Sequence, residues 1–449
     1  MKIMFISLGC DKNLVDTEKM LGLLGAKGYS FTDDETEAEI IVVNSCCFIN
    51  DAKEESIETI LEMAQYKENG NLKALIVTGC LAERYKDEII KEIPEVDAVI
   101  GTASYDDIVE AVEAALNGEK PLIFKEINKI PEIDVNRMVT TGGYYAHLKI
   151  AEGCDKHCTY CIIPKIRGNF RSVPMEELVR EAENLASQGV RELIVIAQDT
   201  TYYGLDIYRR RALAELLQKL SEVEGIEWIR IHYSYPAAFP EDVLDQMANN
   251  PKVCRYMDIP LQHISDKVLD NMHRNVDGAW TRELIRKMRE RVPGVVLRTT
   301  MIVGHPGEGK RDFAELLKFA EEARFERLGA FKYSEEEGTY GAEHLKDSVS
   351  AKVKQERLDE LMTLQSGISY KYNQSRVGSE IDVIVDDFTD GVFVCRSEFE
   401  SPEVDGEILV KYDSSVMADV DPYSLIGEFI KVRVVGADEY DLIAEPLEI

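Results

Sequence analysis

The chain has 449 residues, 45% of them apolar, enough for about three globular domains at roughly 150 residues each. Its 83 acidic residues against 52 basic ones leave a net charge of −31, which repels phosphate backbones, argues against nucleic acid as the main partner and favours a basic protein. No apolar run approaches a membrane span, and that of the opening MKIMFISLGC is too short for a secretory signal. Nine cysteines without a leader then predict reduced thiols, engaged in metal or redox work in the cytoplasm.

Residues 1–125 alternate short β-branched runs (KIMFISLG, EIIVVNS, KALIVTG, DAVIG) with amphipathic stretches, which predicts a parallel sheet covered by helices on both faces. Residues 126–143 are polar, without clean periodicity, and end in Gly142-Gly143; they read as a linker. From 144 to 373 six more strands are expected: AHLKIAEG, ELIVIAQD, WIRIHYSY, RYMDIPLQH, VVLRTTMIVG and LGAFKYS. Helical patterns separate them, so the expectation is an open, partial (βα)6 barrel, with a long polar helix over about 349–373 leading out. Residues 377–449 alternate apolar with polar between turn residues, which predicts a small antiparallel β-barrel. With four basic and 19 acidic residues it carries −15.

The strongest local signal is Cys154, Cys158 and Cys161 in AEGCDKHCTYC, at spacings of four and three just after a strand. Soft thiolates select zinc or iron–sulfur. Three ligands leave one metal position open, which suits a four-iron cluster with one free iron; zinc would need a fourth ligand, for which His157 is the local candidate. A second signal is spread out: Cys10, Cys46 and Cys80 each follow a predicted strand of the first domain. Strand ends of a parallel sheet share one edge, so these three would converge as a second triad, the alternative being buried structural cysteines; the adjacent Cys47 could compete with Cys46. Cys254 and Cys395 have bland surroundings and read as small buried hydrophobes.

These residues resemble a known family. The C-x3-C-x2-C run after the first barrel strand is similar to the radical S-adenosylmethionine signature. Three further cysteines in an N-terminal α/β domain and a terminal TRAM-like β-barrel make the whole chain resemble the methylthiotransferases of that superfamily. GCDKNLVDTEKML and YSEEEGT resemble the RimO type, which modifies an aspartate of small-subunit ribosomal protein twelve. Departures are Asp11 and Glu335 where that pattern usually has proline, Cys47 where it has glycine, and His305 where it has an aromatic residue.

The resemblance implies two 4Fe-4S clusters, on Cys154, Cys158 and Cys161 and on Cys10, Cys46 and Cys80, with S-adenosylmethionine bound to the open iron of the former. A 5′-deoxyadenosyl radical takes hydrogen from the aspartate β-carbon, the second cluster supplies sulfur, and a second S-adenosylmethionine supplies methyl. It further implies Gln198 and Asp199 beside the methionine moiety (or as plain loop caps), and Arg298 on a substrate or cofactor carboxylate (or in a structural ion pair). Tyr160 would pack near the adenine, and Gly304 and Gly307 would let backbone approach the cofactor (or serve as turn glycines). No histidine, His263 included, is given a catalytic role. An electron donor such as flavodoxin or ferredoxin is expected, and no direct tRNA substrate, since the acidic terminal barrel suits a basic protein. The competing readings are a tRNA methylthiotransferase with the same clusters and a non-enzymatic iron–sulfur carrier, which would need no cofactor-sized barrel.

Overall fold

The computed structural model describes residues 1–131, 135–412 and 421–448. The first sheet contains β1 (Lys2–Ser7), β2 (Ser30–Phe31), β3 (Ile40–Ser45), β4 (Ala74–Gly79), β5 (Ala98–Ile100) and β6 (Leu122–Ile123). All are parallel, in the order β2-β1-β3-β4-β5-β6. The central strands IIVVNS and ALIVTG are buried along their whole length because helices cover both faces. Ile41, Val43, Leu75 and Val77 enter one apolar layer, while Ile40, Val42, Ala74 and Ile76 enter the other. The edge strands β2 and β6 are two residues each, too short to show a period in sequence.

The second domain holds β7 (Tyr145–Lys149), β8 (Ala151–Glu152), β9 (Arg171–Ser172), β10 (Glu192–Ile196), β11 (Trp228–Ile231), β12 (Val253–Asp258), β13 (Val296–Val303) and β14 (Arg327–Lys332). β8 and β9 form a small antiparallel pair, and the other six form a parallel sheet ordered β7-β10-β11-β12-β13-β14. The two ends of this sheet do not pair with each other, so the barrel is open, as expected for six strands. The helix Asp11–Ala26 of the first domain packs on β7 and the helix Ala351–Arg376 on β14, which covers both edges.

The segment read as a linker is partly built in. Arg137 is buried, its Nη2 donates to the His147 carbonyl at 2.6 Å, and the Met138 N–H donates to the Glu18 carbonyl at 3.1 Å. Its polar side chains are drawn in because Glu18 and Glu181 offer Arg137 carboxylates at 3.5 and 3.1 Å.

At the C-terminus β15 (Glu380–Thr389), β16 (Val392–Arg396), β17 (Ile408–Lys411), β18 (Phe429–Ala437) and β19 (Leu442–Glu448) close into a barrel. Four pairings are antiparallel, but β17 and β19 run parallel where the barrel closes. The run 427–445, which reads as continuous alternation, breaks into two strands at a turn where the Asp438 N–H donates to the Asp441 carbonyl at 2.9 Å. Buried ion pairs fasten this barrel to the central domain: Glu192 of β10 accepts from Arg230 and Arg396, both at 2.8 Å, and Glu400 takes Arg327 at 3.0 Å and Arg376. Among the described residues no helix is long and apolar enough to cross a membrane.

Candidate metal centre

β1, β3 and β4 are immediate neighbours, and the register pairs Ser7 with Asn44 and Ser45 with Gly79. Cys10, Cys46 and Cys80, which follow those strands, therefore come out at one sheet edge. Two glycines permit the close approach. Gly9 (φ +92°) lies so near Cys46 that an added Cβ would be 2.7 Å from its Cβ and 2.8 Å from its Sγ. Gly79 (φ +88°) is pressed against the Asn44 side chain and 2.5 Å from the Ser45 carbonyl by the same measure. Two asparagines tie the edge together. Asn13 Nδ2 donates to the Leu8 and Ser45 carbonyls at 2.9 and 3.1 Å, and Asn44 Nδ2 donates to the Asn13 carbonyl at 2.7 Å.

Burial pushes the Cys46 and Cys80 thiols up, and negative charge on Cys10 raises both further, so the three sulfurs feel one another. Cys46 is the one that meets Gly9. Cys47 lies fully buried in the apolar layer, pushed up to about 11 by burial, with Arg84 donating to its carbonyl at 3.3 Å.

The second triad is held by its loop. The Cys154 N–H donates to the Gly168 carbonyl at 3.1 Å, the Thr159 N–H to the Met272 carbonyl at 3.1 Å, and the Gly341 N–H to the Thr159 carbonyl at 2.6 Å. Burial pushes Cys154 up to about 12 and Cys161 higher still, and charge on Cys158 raises both. Buried Arg274 attends this triad: its Nη1 reaches Cys158 Sγ at 3.6 Å and the Tyr160 hydroxyl at 3.3 Å, and its guanidinium lies 4.2 Å over the Tyr235 ring. His157 is exposed in a left-handed conformation, φ +50°. Among the described residues no three His, Cys, Asp or Glu side chains gather as a single ion requires. A four-iron cluster carries its own bridging sulfides and spreads its thiolates around a larger core, so the all-sulfur donor sets fit that group.

The other singled-out residues lie mostly at the carboxyl ends of the barrel strands, where an open α/β sheet binds its ligands. Gln198, after β10, donates from Nε2 to Glu152 Oε1 at 2.7 Å, while its buried Oε1 has no hydrogen-bond partner. Asp199 caps the short turn Thr200–Tyr202, accepting from the Thr201 N–H at 3.0 Å, and pairs with Lys156 at 3.2 Å. Arg298 is engaged by protein carboxylates, Asp258 at 2.9 Å and Asp405 of the terminal barrel at 3.7 Å. Tyr160 borders Arg274 and sets its ring edge-on to His305, centroids 6.4 Å apart. At Gly304 (φ +77°) the Cβ position is taken by the Lys354 side chain, and at Gly307 (φ +88°) by Asn271 Nδ2 at 2.5 Å, so protein side chains make those approaches. His263 is fully buried, its Nδ1 accepting from the Ser265 N–H at 3.0 Å; Cys254 and Cys395 are buried.

Several residues of the cleft have no motif of their own in the sequence. Arg167 runs from the first triad to β8: it contacts Asn13 Oδ1, which accepts from Cys80 Sγ at 3.8 Å, and it donates to Asp16 at 2.7 Å and Glu152 at 3.1 Å. Lys149 contacts Asp16 and donates to Glu152 at 2.8 Å, and Glu152 in turn reaches Gln198. Burial opposes the charge on Lys149, but Asp16 and Glu152 outweigh it and hold the ammonium up; Lys149 and Arg167 likewise hold Glu152 down. Unpaired buried atoms remain at Gln198 Oε1, Gln262 Oε1 and Arg274 Nε. Tyr233 and Gln262 adopt φ of +58° and +73°, the kind of strained backbone found at functional sites. Unsatisfied polar atoms beside a thiolate triad suit a polar cofactor such as S-adenosylmethionine. A Lys or Arg within two residues of a candidate ligand cysteine would have flagged Lys12, but Arg167 and Arg274 are brought in only by the fold.

The profile of the uncharacterized protein family UPF0004 matches residues 2–101, that of the radical SAM superfamily residues 148–320, and that of the TRAM domain residues 377–447. The ribosomal protein uS12 methylthiotransferase RimO of Lachnoclostridium phytofermentans is 53% identical over 445 residues, 99% of each chain. The RimO of Phocaeicola vulgatus is 48% identical over 98% of each. Among solved structures, the radical S-adenosylmethionine methyltransferase TsrM of Kitasatospora setae, with cobalamin and a [4Fe-4S] cluster bound, shares the fold at 12% identity with a TM-score of 0.56 over 94% of this chain and 91% of its own. The 53% identity to a RimO along 99% of both chains shows that the protein belongs to the RimO family of radical S-adenosylmethionine methylthiotransferases.

Proposed function

We propose that the protein methylthiolates the β-carbon of an aspartate in ribosomal protein uS12, working from two cysteine triads. This reading rests on the pair of three-thiol sets, one at the β1-β3-β4 edge and one in the loop after β8, with an Asn13–Arg167–Glu152 chain running from Cys80 to the strand that precedes Cys154. Cys154, Cys158 and Cys161 would hold one 4Fe-4S cluster and Cys10, Cys46 and Cys80 the other. Bound there, the clusters would supply one-electron reduction of S-adenosylmethionine at one site and sulfur for transfer at the other.

The chain's own residues bind, orient and exclude water. Arg274 places a fixed positive charge beside Cys158, and its buried Nε has no hydrogen-bond partner. Gln198, fixed through Glu152, leaves its Oε1 without a partner, and Tyr160 lies against Arg274. Gly9 and Gly79 let the first three thiols close on one volume. The acidic terminal barrel, clamped by Glu192 and Glu400, is the docking module for a basic ribosomal protein. Electrons come from a flavodoxin or ferredoxin, and the reaction belongs in the cytoplasm, where ribosomes are. A tRNA substrate is disfavoured by the charge of −15 on the barrel.

Mass spectrometry of uS12 after anaerobic reaction with the cluster-loaded enzyme, S-adenosylmethionine and a reductant tests this. The expected product has one methylthio group in place of a hydrogen on an aspartate. Deoxyadenosine without that product would overturn the substrate assignment, and a methylthio group on tRNA instead would replace it.

A further inference from the structure

The target aspartate carries a carboxylate, and one buried cation beside Cys10 has no hydrogen-bond or ion-pair partner among the described residues. Lys12 stands next to Cys10 in the first turn of the helix Asp11–Ala26 and is only 6% exposed. Among the described residues its ammonium makes no hydrogen bond or ion pair; it lies 2.9 Å from the centre of the Tyr233 ring. Burying an ammonium unpaired is costly, so its position favours an incoming anion.

The acidic groups that bear most on Lys12 are Cys10, Asp11, Asp258 and Glu152, and the three carboxylates are engaged elsewhere. Asp11 accepts from the Tyr233 hydroxyl at 3.1 Å and lies 3.9 Å from His147 Nε2. Asp258 accepts from Arg298 at 2.9 Å and from the Tyr233 N–H at 3.0 Å. Glu152 takes Lys149, Arg167 and Gln198. Tyr233 is pinned at its N–H and its hydroxyl in a left-handed conformation, which fixes the ring under the ammonium. Cys10 is exposed and Asp11 and Tyr233 are half-buried, so the ammonium lies just beneath the surface.

We propose that Lys12 binds the side-chain carboxylate of the target aspartate and so sets the β-carbon between the two triads. The carboxyl carbon is bonded directly to the β-carbon, so anchoring it beside Cys10 leaves the carbon to be modified one bond away. The same contact selects aspartate over asparagine, whose amide cannot form a charge-assisted pair. Lys12 is a specificity-determining residue, and the proposal rests on the uS12 reading above.

The test compares the affinity of the full-length, cluster-loaded enzyme for uS12 and for uS12 with the target aspartate changed to asparagine, measured anaerobically with K12M and K12R alongside. The wild type should prefer the aspartate form by about tenfold to hundredfold, as for one buried charge-assisted hydrogen bond. K12M should bind both forms alike at the weaker level, and K12R should keep most of the preference, with iron content confirming that each variant is loaded. A wild type that binds both forms equally, or a K12M that keeps the preference, overturns the role of Lys12. A wild type that binds neither form overturns the uS12 reading on which it rests.

Discussion

His305 shows how much a single position departs from what a motif implies. It stands in VGHPGE where the family carries an aromatic ring, and it does the packing of one: fully buried, its ring sits 5.0 Å from Tyr333 and 6.4 Å from Tyr160, centre to centre. Burial drops its pKa to about 4, so it stays neutral when folded. An unfolded histidine titrates near 6.5, so the unfolded chain binds the extra proton first. The stability His305 contributes is complete above about 6.5 and is lost as the pH falls from there toward 4. His305→Phe should therefore narrow the gap between urea midpoints at pH 7 and pH 5 relative to wild type, and an unchanged gap would show that His305 does not titrate in that window. The cysteines were readable one by one, because spacing after strands is a local property. The partners of Arg298 were not, since Asp405 lies more than a hundred residues away in another domain.

At the scale of elements, the helix Asp11–Ala26 does most to place the site. Its N-terminal turn carries Cys10 at its cap, then Lys12 and Asn13, and Asp16 one turn on meets Lys149 of β7 and Arg167 beyond the second triad. A buried carboxylate between two cations makes the helix a brace between domains. Asp16→Asn leaves Lys149 and Arg167 short of charge in the interior and should cost about 3–5 kcal/mol in chemical denaturation; a loss below ~1 kcal/mol would mean that Glu152 alone satisfies both. The strand–helix alternation was legible because β3 and β4 are continuous apolar runs bounded by turns. The brace was not, because its ion pairs join residues up to 151 apart, and neither period nor propensity reports them. The parallel closure of β17 on β19 escaped for the same reason: alternation announces strands without their partners.

For the whole molecule, charge is the property most open to measurement. The chain carries −31, and its terminal barrel is locked to the central domain through Arg230, Arg327, Arg376 and Arg396. Of the four basic residues of the barrel only Arg396 is buried at this interface, and Lys411, Lys431 and Arg433 are left exposed among 19 acidic residues. If that surface steers a basic ribosomal protein, affinity for uS12 should fall by roughly tenfold between ~50 and ~300 mM salt, mostly through the association rate. Salt-independent binding would leave the acidity without a docking role.

Two triads, separated in sequence, are proposed to hold separate clusters. Iron quantitation on anaerobically reconstituted protein tests this most directly. Wild type should bind about eight irons per chain, and Cys10→Ala and Cys154→Ala about four each. Cys47→Ala should retain the full complement, since Cys47 belongs to the apolar layer. A Cys10→Ala protein that keeps all the iron of the wild type would contradict the first triad and the account built on it.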